Sequence, residues 1–220
     1  INIIIQNQTM IAQMPHAADL NDVMSAIEAM RIQEESSYQC PDYLSKSEED
    51  GSALPVNEEC RRKMAEWCYQ VVDYCKFSRE TVAIAMSLID RYLASNQGRE
   101  ALANRKLFQL AAMTSLYSAV KVHEPEAMEP KTIAGLSRGA YNEDQVTAME
   151  LEVLGAIGWR MNPPTPLAFV HHCLALLPDG SMSMSDREAI LEIAKFQTEL
   201  AVHDYSFVHI DASKIALAAV

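Results

Sequence analysis

The stretch from residue 104 to 122, NRKLFQLAAMTSLYSAVKV, limits what this chain can become more than any other segment. Leu107, Phe108, Leu110, Ala111, Met113, Leu116, Ala119 and Val120 fall on nearly every side of a helix. A helix that is apolar all round is stable in water only when other helices surround it. The chain must therefore supply a bundle around this segment. A single cation, Lys121, closes the uncharged run LFQLAAMTSLYSAV. It can satisfy terminal carbonyls and the helix dipole, or it can face another protein.

The surrounding helices are visible as 3.6-residue periodicity. Leu20, Val23, Met24, Ile27 and Met30 make a stripe that predicts a helix over about 18 to 32. The acidic, Ser- and Pro-containing stretch SSYQCPDYLSKSEEDGSALP reads as an irregular, exposed connector. After it, Asn57 is placed to cap a helix whose face carries Met64, Trp67, Cys68, Val71, Val72 and Cys75. Ser78 and Thr81 open the next, with Val82, Met86, Ile89 and Leu93. A short helix is expected near 130 to 136, and Asn142 with Asp144 caps another carrying Val146, Met149, Val153, Leu154 and Ile157. MNPPTP cannot continue a helix and marks a boundary. Helical patterns follow over 166 to 177, 185 to 202 and 211 to the end. The third of this series is again the most apolar, which suggests a weak repeat of helical units.

Composition removes several function classes. Thirty acidic against eighteen basic side chains give a formal net charge of −12, a field that repels phosphate backbones and argues against nucleic acid as a partner. No apolar run reaches the ~18 residues of a membrane span. The five cysteines include no CxxC pair and read as buried, reduced thiols of an intracellular protein. The chain starts at Ile1 and stops within IALAAV, and both ends read as cut.

Read in order, CRRKMAEWCYQVV, TVAIAMSLIDRYLAS, KLFQLAAMTSLYSAVKVHE, VTAMELEVLGAIGW and PPTPLAFV resemble the cyclin box over about 57 to 169. The likeness is weaker from 185 to 220, and D-type and related cell-cycle cyclins look closest. The resemblance implies an all-α fold of two successive five-helix bundles. The segment 1–54 would hold an N-terminal helix and acidic linker, 55–160 the first and complete bundle, and 161–220 a partial second one. It implies no enzymatic activity, no cofactor and no metal. The implied partner is a cyclin-dependent protein kinase, with kinase substrates or inhibitors as further partners, and the implied role is activation of that kinase in cell-cycle control. The alternative is a cyclin-fold scaffold or transcription-associated protein that activates no kinase.

Residue by residue, Lys121 and Glu150 match the family's kinase-binding lysine and glutamate, and Val122, Glu124, Leu154 and Trp159 would complete the kinase face, although Val122, Leu154 and Trp159 could equally be core. On local grounds Lys121 and Glu150 could equally form an internal salt bridge between two helices. Arg61 and Asp90 match a structural ion pair between the first two bundle helices. The family's docking patch for basic-x-leucine motifs falls on Cys60, Lys63, Met64, Trp67 and Gln109. It looks degraded, because Lys63 replaces an aliphatic residue and Gln70 an acid.

Other motifs compete poorly. Gly135-Leu136-Ser137-Arg138-Gly139 satisfies G-x-S-x-G, with Asp204 and His209 in the right order, but no strand pattern precedes it. His171 and His172 are neighbours and point about 100° apart on a helix, so they are poorly placed to share one metal.

Overall fold

The computed structural model describes residues 20–45, 55–178 and 180–220. The described helices are α1 (Leu20–Ser36), α2 (Glu58–Cys75), α3 (Glu80–Ala94), α4 (Arg99–Ala103), α5 (Arg105–His123), α6 (Pro130–Leu136), α7 (Glu143–Ala156), α8 (Pro166–Ala175), α9 (Met184–His203) and α10 (Ala212–Ala219), with a 3-10 turn at Tyr205–Phe207. No strand occurs among the described residues.

The apolar segment is α5, and α2, α3, α4, α6 and α7 all pack against it. Ala111, Leu116, Ala119 and Val120 are wholly enclosed. The alanines let neighbouring helices approach closely, and Ser115 returns its hydroxyl to the Ala111 carbonyl at 2.9 Å instead of seeking water. One polar atom in this core is left over: the Thr114 hydroxyl has no partner among the described residues.

Caps fix where the helices begin. Asn57 accepts from Cys60 N–H at 3.0 Å, and Asn104 accepts from Lys106 N–H and Leu107 N–H. At α7 the Asn142 side chain accepts from Gln145 N–H at 2.9 Å, while the Gln145 side chain accepts from Asn142 N–H. The capping partner is thus Gln145, three residues on as a capping box requires, and not Asp144. α3 opens at Glu80, with Ser78 Oγ accepting from its N–H at 3.3 Å. Thr81 instead turns inward. The helix α4 carries no periodic signal in the sequence. It follows Gly98, where a Cβ would lie 2.1 Å from the Tyr92 carbonyl oxygen, so only glycine permits this approach of two backbones.

A second, smaller core gathers Phe169, Val170 and Leu174 of α8 with Ala194 of α9 and Ala216 and Ala219 of α10. Ile27 and Met30 of α1 pack onto it, whereas Leu20 and Met24 of the same stripe stay exposed. The N-terminal helix therefore docks on the later unit, where the buried Glu34 carboxylate accepts from Ser213 N–H at 3.0 Å. The expectation of an exposed connector holds for Gln39, Pro41 and Ser45 and is corrected at Tyr43. Tyr43 is 6% exposed and belongs to the first core, because both of its polar ends find partners there. Residues 46–54 of that stretch lie outside the described residues.

Candidate partner-binding face

Lys121 stands in the last turn of α5 and Glu150 in the body of α7, two helices that pack side by side. Lys121 Nζ lies 3.2 and 3.3 Å from the two carboxylate oxygens of Glu150, and Ser118 Oγ donates to Oε1 at 3.3 Å. The ammonium also sits 5.5 Å from the centroid of the Tyr117 ring. Burial disfavours the charged lysine, but Glu150 outweighs that and holds its pKa above the ordinary value. The local alternative of an internal salt bridge is therefore real in the folded chain. The pair is lopsided: the lysine side chain is 50% exposed and the glutamate 13%. A positive group is held out to solvent by a covered carboxylate, and its remaining donor directions are open to a partner's acceptors.

Exposed apolar side chains lie near the pair in sequence. Val122 follows it directly, Leu151 follows Glu150, and Trp159 is 65% exposed just beyond α7. The α7 helix ends in a 6→1 turn, in which Trp159 N–H bonds the Leu154 carbonyl at 2.9 Å. Gly158 and Trp159 both take left-handed φ, 62° and 60°. For tryptophan that conformation is strained, so the surrounding structure must hold it. Leu151 escaped the sequence reading; its only signal is an apolar residue off the Val146, Met149, Val153 stripe.

Two expected face residues are corrected. Glu124 is buried, and its carboxylate accepts from Ser78 N–H at 2.9 Å and from the Thr81 hydroxyl. It ties the end of α5 to the start of α3, because the chain leaves the helix axis after His123. Leu154 is 8% exposed and packs into the first core.

The Cys60, Lys63, Met64, Trp67 and Gln109 group offers no open apolar patch. Met64 is buried, while Cys60 and Trp67 pack half-covered on the first core. Lys63 pairs with Glu59 at 3.3 Å, and Gln109 accepts from the Tyr141 hydroxyl at 3.0 Å. Arg61 and Asp90 form the bidentate pair, Nε to Oδ1 at 2.8 Å and Nη2 to Oδ2 at 2.7 Å. The network extends further than two helices. Tyr43 donates to Asp90 Oδ1 at 2.8 Å, and Arg61 Nη1 donates to the Val202 carbonyl at 2.7 Å. The Tyr205 hydroxyl receives Tyr43 N–H and Leu44 N–H and donates to Asp42, so connector and both helical units meet here. A cleft of about 670 Å³ borders this junction and is lined in part by Cys40. Burial pushes the Cys40 thiol well above the ordinary thiol value, which favours its protonated form.

Ser137 ends α6, and its hydroxyl donates to the Ala134 carbonyl at 2.6 Å. It follows a helix, so the strand-turn-helix setting of a nucleophile is missing. Among the described residues no three His, Cys, Asp or Glu side chains gather as metal ligands, and no helix is long and apolar enough to cross a membrane.

Residues 25–162 match the family "Cyclin, N-terminal domain" and residues 164–220 the family "Cyclin, C-terminal domain". The chain is 30% identical over 212 residues to G2/mitotic-specific cyclin-2 of Antirrhinum majus, covering 93% of this chain and 44% of the relative. It is 29% identical over 166 residues to G2/mitotic-specific cyclin-B2 of Rana japonica, covering 76% of this chain and 39% of the relative. The chain thus spans less than half the length of these relatives, whose names place them among the related cell-cycle cyclins and not the D-type. A solved viral cyclin from herpesvirus saimiri superposes with a TM-score of 0.63 at 14% identity, over 92% of this chain and 79% of that one, so it shares the fold. With both domain families matched in order across the described helices, the chain belongs to the cyclin family.

Proposed function

We propose that this chain is a regulatory, non-enzymatic subunit that binds a cyclin-dependent protein kinase, shifts it to its active state and so controls cell-cycle progression, in nucleus or cytoplasm. The single observation that carries the reading is the Lys121–Glu150 pair with its ammonium held outward, on helix segments whose neighbours in sequence, Val122, Leu151 and Trp159, are exposed. Kinase activation needs the Lys–Glu ion pair of the active kinase assembled, which positioning of its C-helix controls. Turning a rarely active kinase into a mostly active one requires a preference of about 5.5 kcal/mol for the active state. A rigid face with an apolar centre and one oriented cation suits that task, because most binding energy resides in a few well-held anchors. The mitotic names of the relatives support the cell-cycle role.

The test is binding of the chain to purified cyclin-dependent kinases, beside Lys121→Ala/Glu150→Ala, with circular dichroism on both. The expected result is a folded double variant that no longer binds the kinase the parent activates. Equal binding by the variant would refute the assignment of the pair. Absence of binding to every kinase would leave the scaffold reading in its place.

A further inference from the structure

Arg91 is a buried arginine without a carboxylate. It lies on α3, 8% exposed, and among the described residues its polar contacts are neutral: Nε donates to the Ser87 carbonyl at 3.2 Å, Nη2 donates to the Arg160 carbonyl at 2.8 Å, and its Cζ lies 4.8 Å from the centroid of the Tyr38 ring. The adjacent Asp90 is already occupied by Arg61 and Tyr43. Burial pulls the Arg91 pKa down, as expected for a cation withdrawn from water. Covering a charge without an opposite charge is costly, so its placement needs a compensating effect elsewhere.

That effect is visible at the far end of the side chain. Arg160 follows Trp159, and the Arg160 carbonyl is where the guanidinium ends. One residue further on, the Met161 carbonyl lies 3.0 Å from His123 Nε2 at the end of α5. The exposed, left-handed Trp159 is thus braced by its own N–H on Leu154, by Arg91 from α3 and by His123 from α5. A large aromatic side chain serves best as a binding anchor when it loses little freedom on binding, and here the backbone on both sides of Trp159 is already hydrogen-bonded in the free chain.

We infer that Arg91 is a positioning residue for partner binding, which holds the Trp159 turn so that the indole is presented in a fixed orientation to an apolar slot on the kinase. The inference rests on the proposed kinase-binding role. Its route of action is the Arg160 carbonyl, and Arg91 itself touches no partner. Through Tyr38 the same guanidinium also joins the end of the N-terminal segment to this turn, so the placement of Trp159 is coupled to the seating of the connector.

The experiment has two arms on the full chain. In the first, the two indole N–H signals are followed by NMR in the free protein, that of Trp159 being assigned with Trp159→Phe. Arg91→Met should shift and broaden the Trp159 signal and leave Trp67 in place, whereas Arg91→Lys, whose ammonium has nearly the reach of the guanidinium end and keeps a donor for the Arg160 carbonyl, should restore much of the parent spectrum. In the second, affinity for the kinase is measured for Arg91→Met, Trp159→Ala and the pair. Arg91→Met should weaken binding about tenfold in the parent and less than twofold when Trp159 is already absent. An unchanged Trp159 signal, or an equal loss of affinity in both backgrounds, would overturn the inference. An Arg91→Met chain that fails to fold shifts the decision to Arg91→Gln, set against Arg91→Lys in the same two comparisons. If no kinase binds the parent, the proposed function falls, and the NMR arm still decides whether Arg91 orients Trp159.

Discussion

Replacing Asp90 alone should harm the fold more than replacing Asp90 and Arg61 together. In Asp90→Leu the Arg61 guanidinium, 5% exposed in its side chain, loses two charge-assisted bonds and keeps only the Val202 carbonyl. Breaking a buried pair on one side costs about 3–5 kcal/mol, because the remaining charge is left uncompensated. The stranded Tyr43 hydroxyl adds about 1 kcal/mol. The single variant should therefore lose about 4–6 kcal/mol. In Arg61→Met/Asp90→Leu no charge remains; the losses are the Tyr43 and Val202 hydrogen bonds, about 1–3 kcal/mol in all. Urea unfolding followed by circular dichroism at neutral pH gives all four corners of the cycle. For a chain of this size each 1 kcal/mol moves the midpoint of thermal melting by about 2–4 °C, so the single and double variants are readily separated. If the single-variant losses simply add in the double variant, the pair is not acting as a unit and the reasoning fails.

Three further outcomes are expected. Thr114→Val replaces an unpartnered buried hydroxyl by a methyl of similar volume and should raise stability by about 1–3 kcal/mol in urea titrations; a loss would mean that the hydroxyl has found a partner. Gly98→Ala should destabilise by at least about 1–3 kcal/mol, since the new Cβ meets backbone atoms that cannot yield, whereas Gly155→Ala, with open space around it, should gain about 0.5–1 kcal/mol; the same titrations check both. Asp42 carries a pKa below its ordinary 3.8: burial pushes it up, but hydrogen bonds from Ser45, Tyr205 and Leu44 outweigh that. Its contribution to stability is complete above the unfolded value and is lost as pH falls through the lower folded value, so Asp42→Asn should flatten the loss of stability measured below pH 4.

The longer helices were legible in the sequence because each of them records its own inner face every three to four residues, and Asn57 and Asn142 announce two starts, whereas the short α4 leaves no such record. What periodicity does not record is contact across the chain. Tyr43 sits in a stretch of Ser, Pro and acids, and only Asp90 and Tyr205, far away in sequence, explain why it is buried. Glu124 stands three residues after Lys121 and looked like part of the same surface, yet the chain turns after His123 and sends its carboxylate inward to Ser78 and Thr81. The Lys121–Glu150 pair was readable as a juxtaposition of helix ends and faces. Its outward tilt, and the bracing of Trp159 by Arg91, depend on angles between helices that no local pattern encodes.

The Tyr205 hydroxyl that receives the Tyr43 and Leu44 amides has a consequence for a growing chain. Those partners are separated by 162 and 161 residues, so the connector emerges long before the group that holds it exists. At roughly 5–20 residues per second of synthesis, that interval is about 8–32 s. During it the first bundle can close around α5, while Arg61 still lacks the Val202 carbonyl and the connector stays undocked. A chaperone or protease acting on the nascent chain would find the Tyr43 segment open in that window, and the fully made protein would no longer present it.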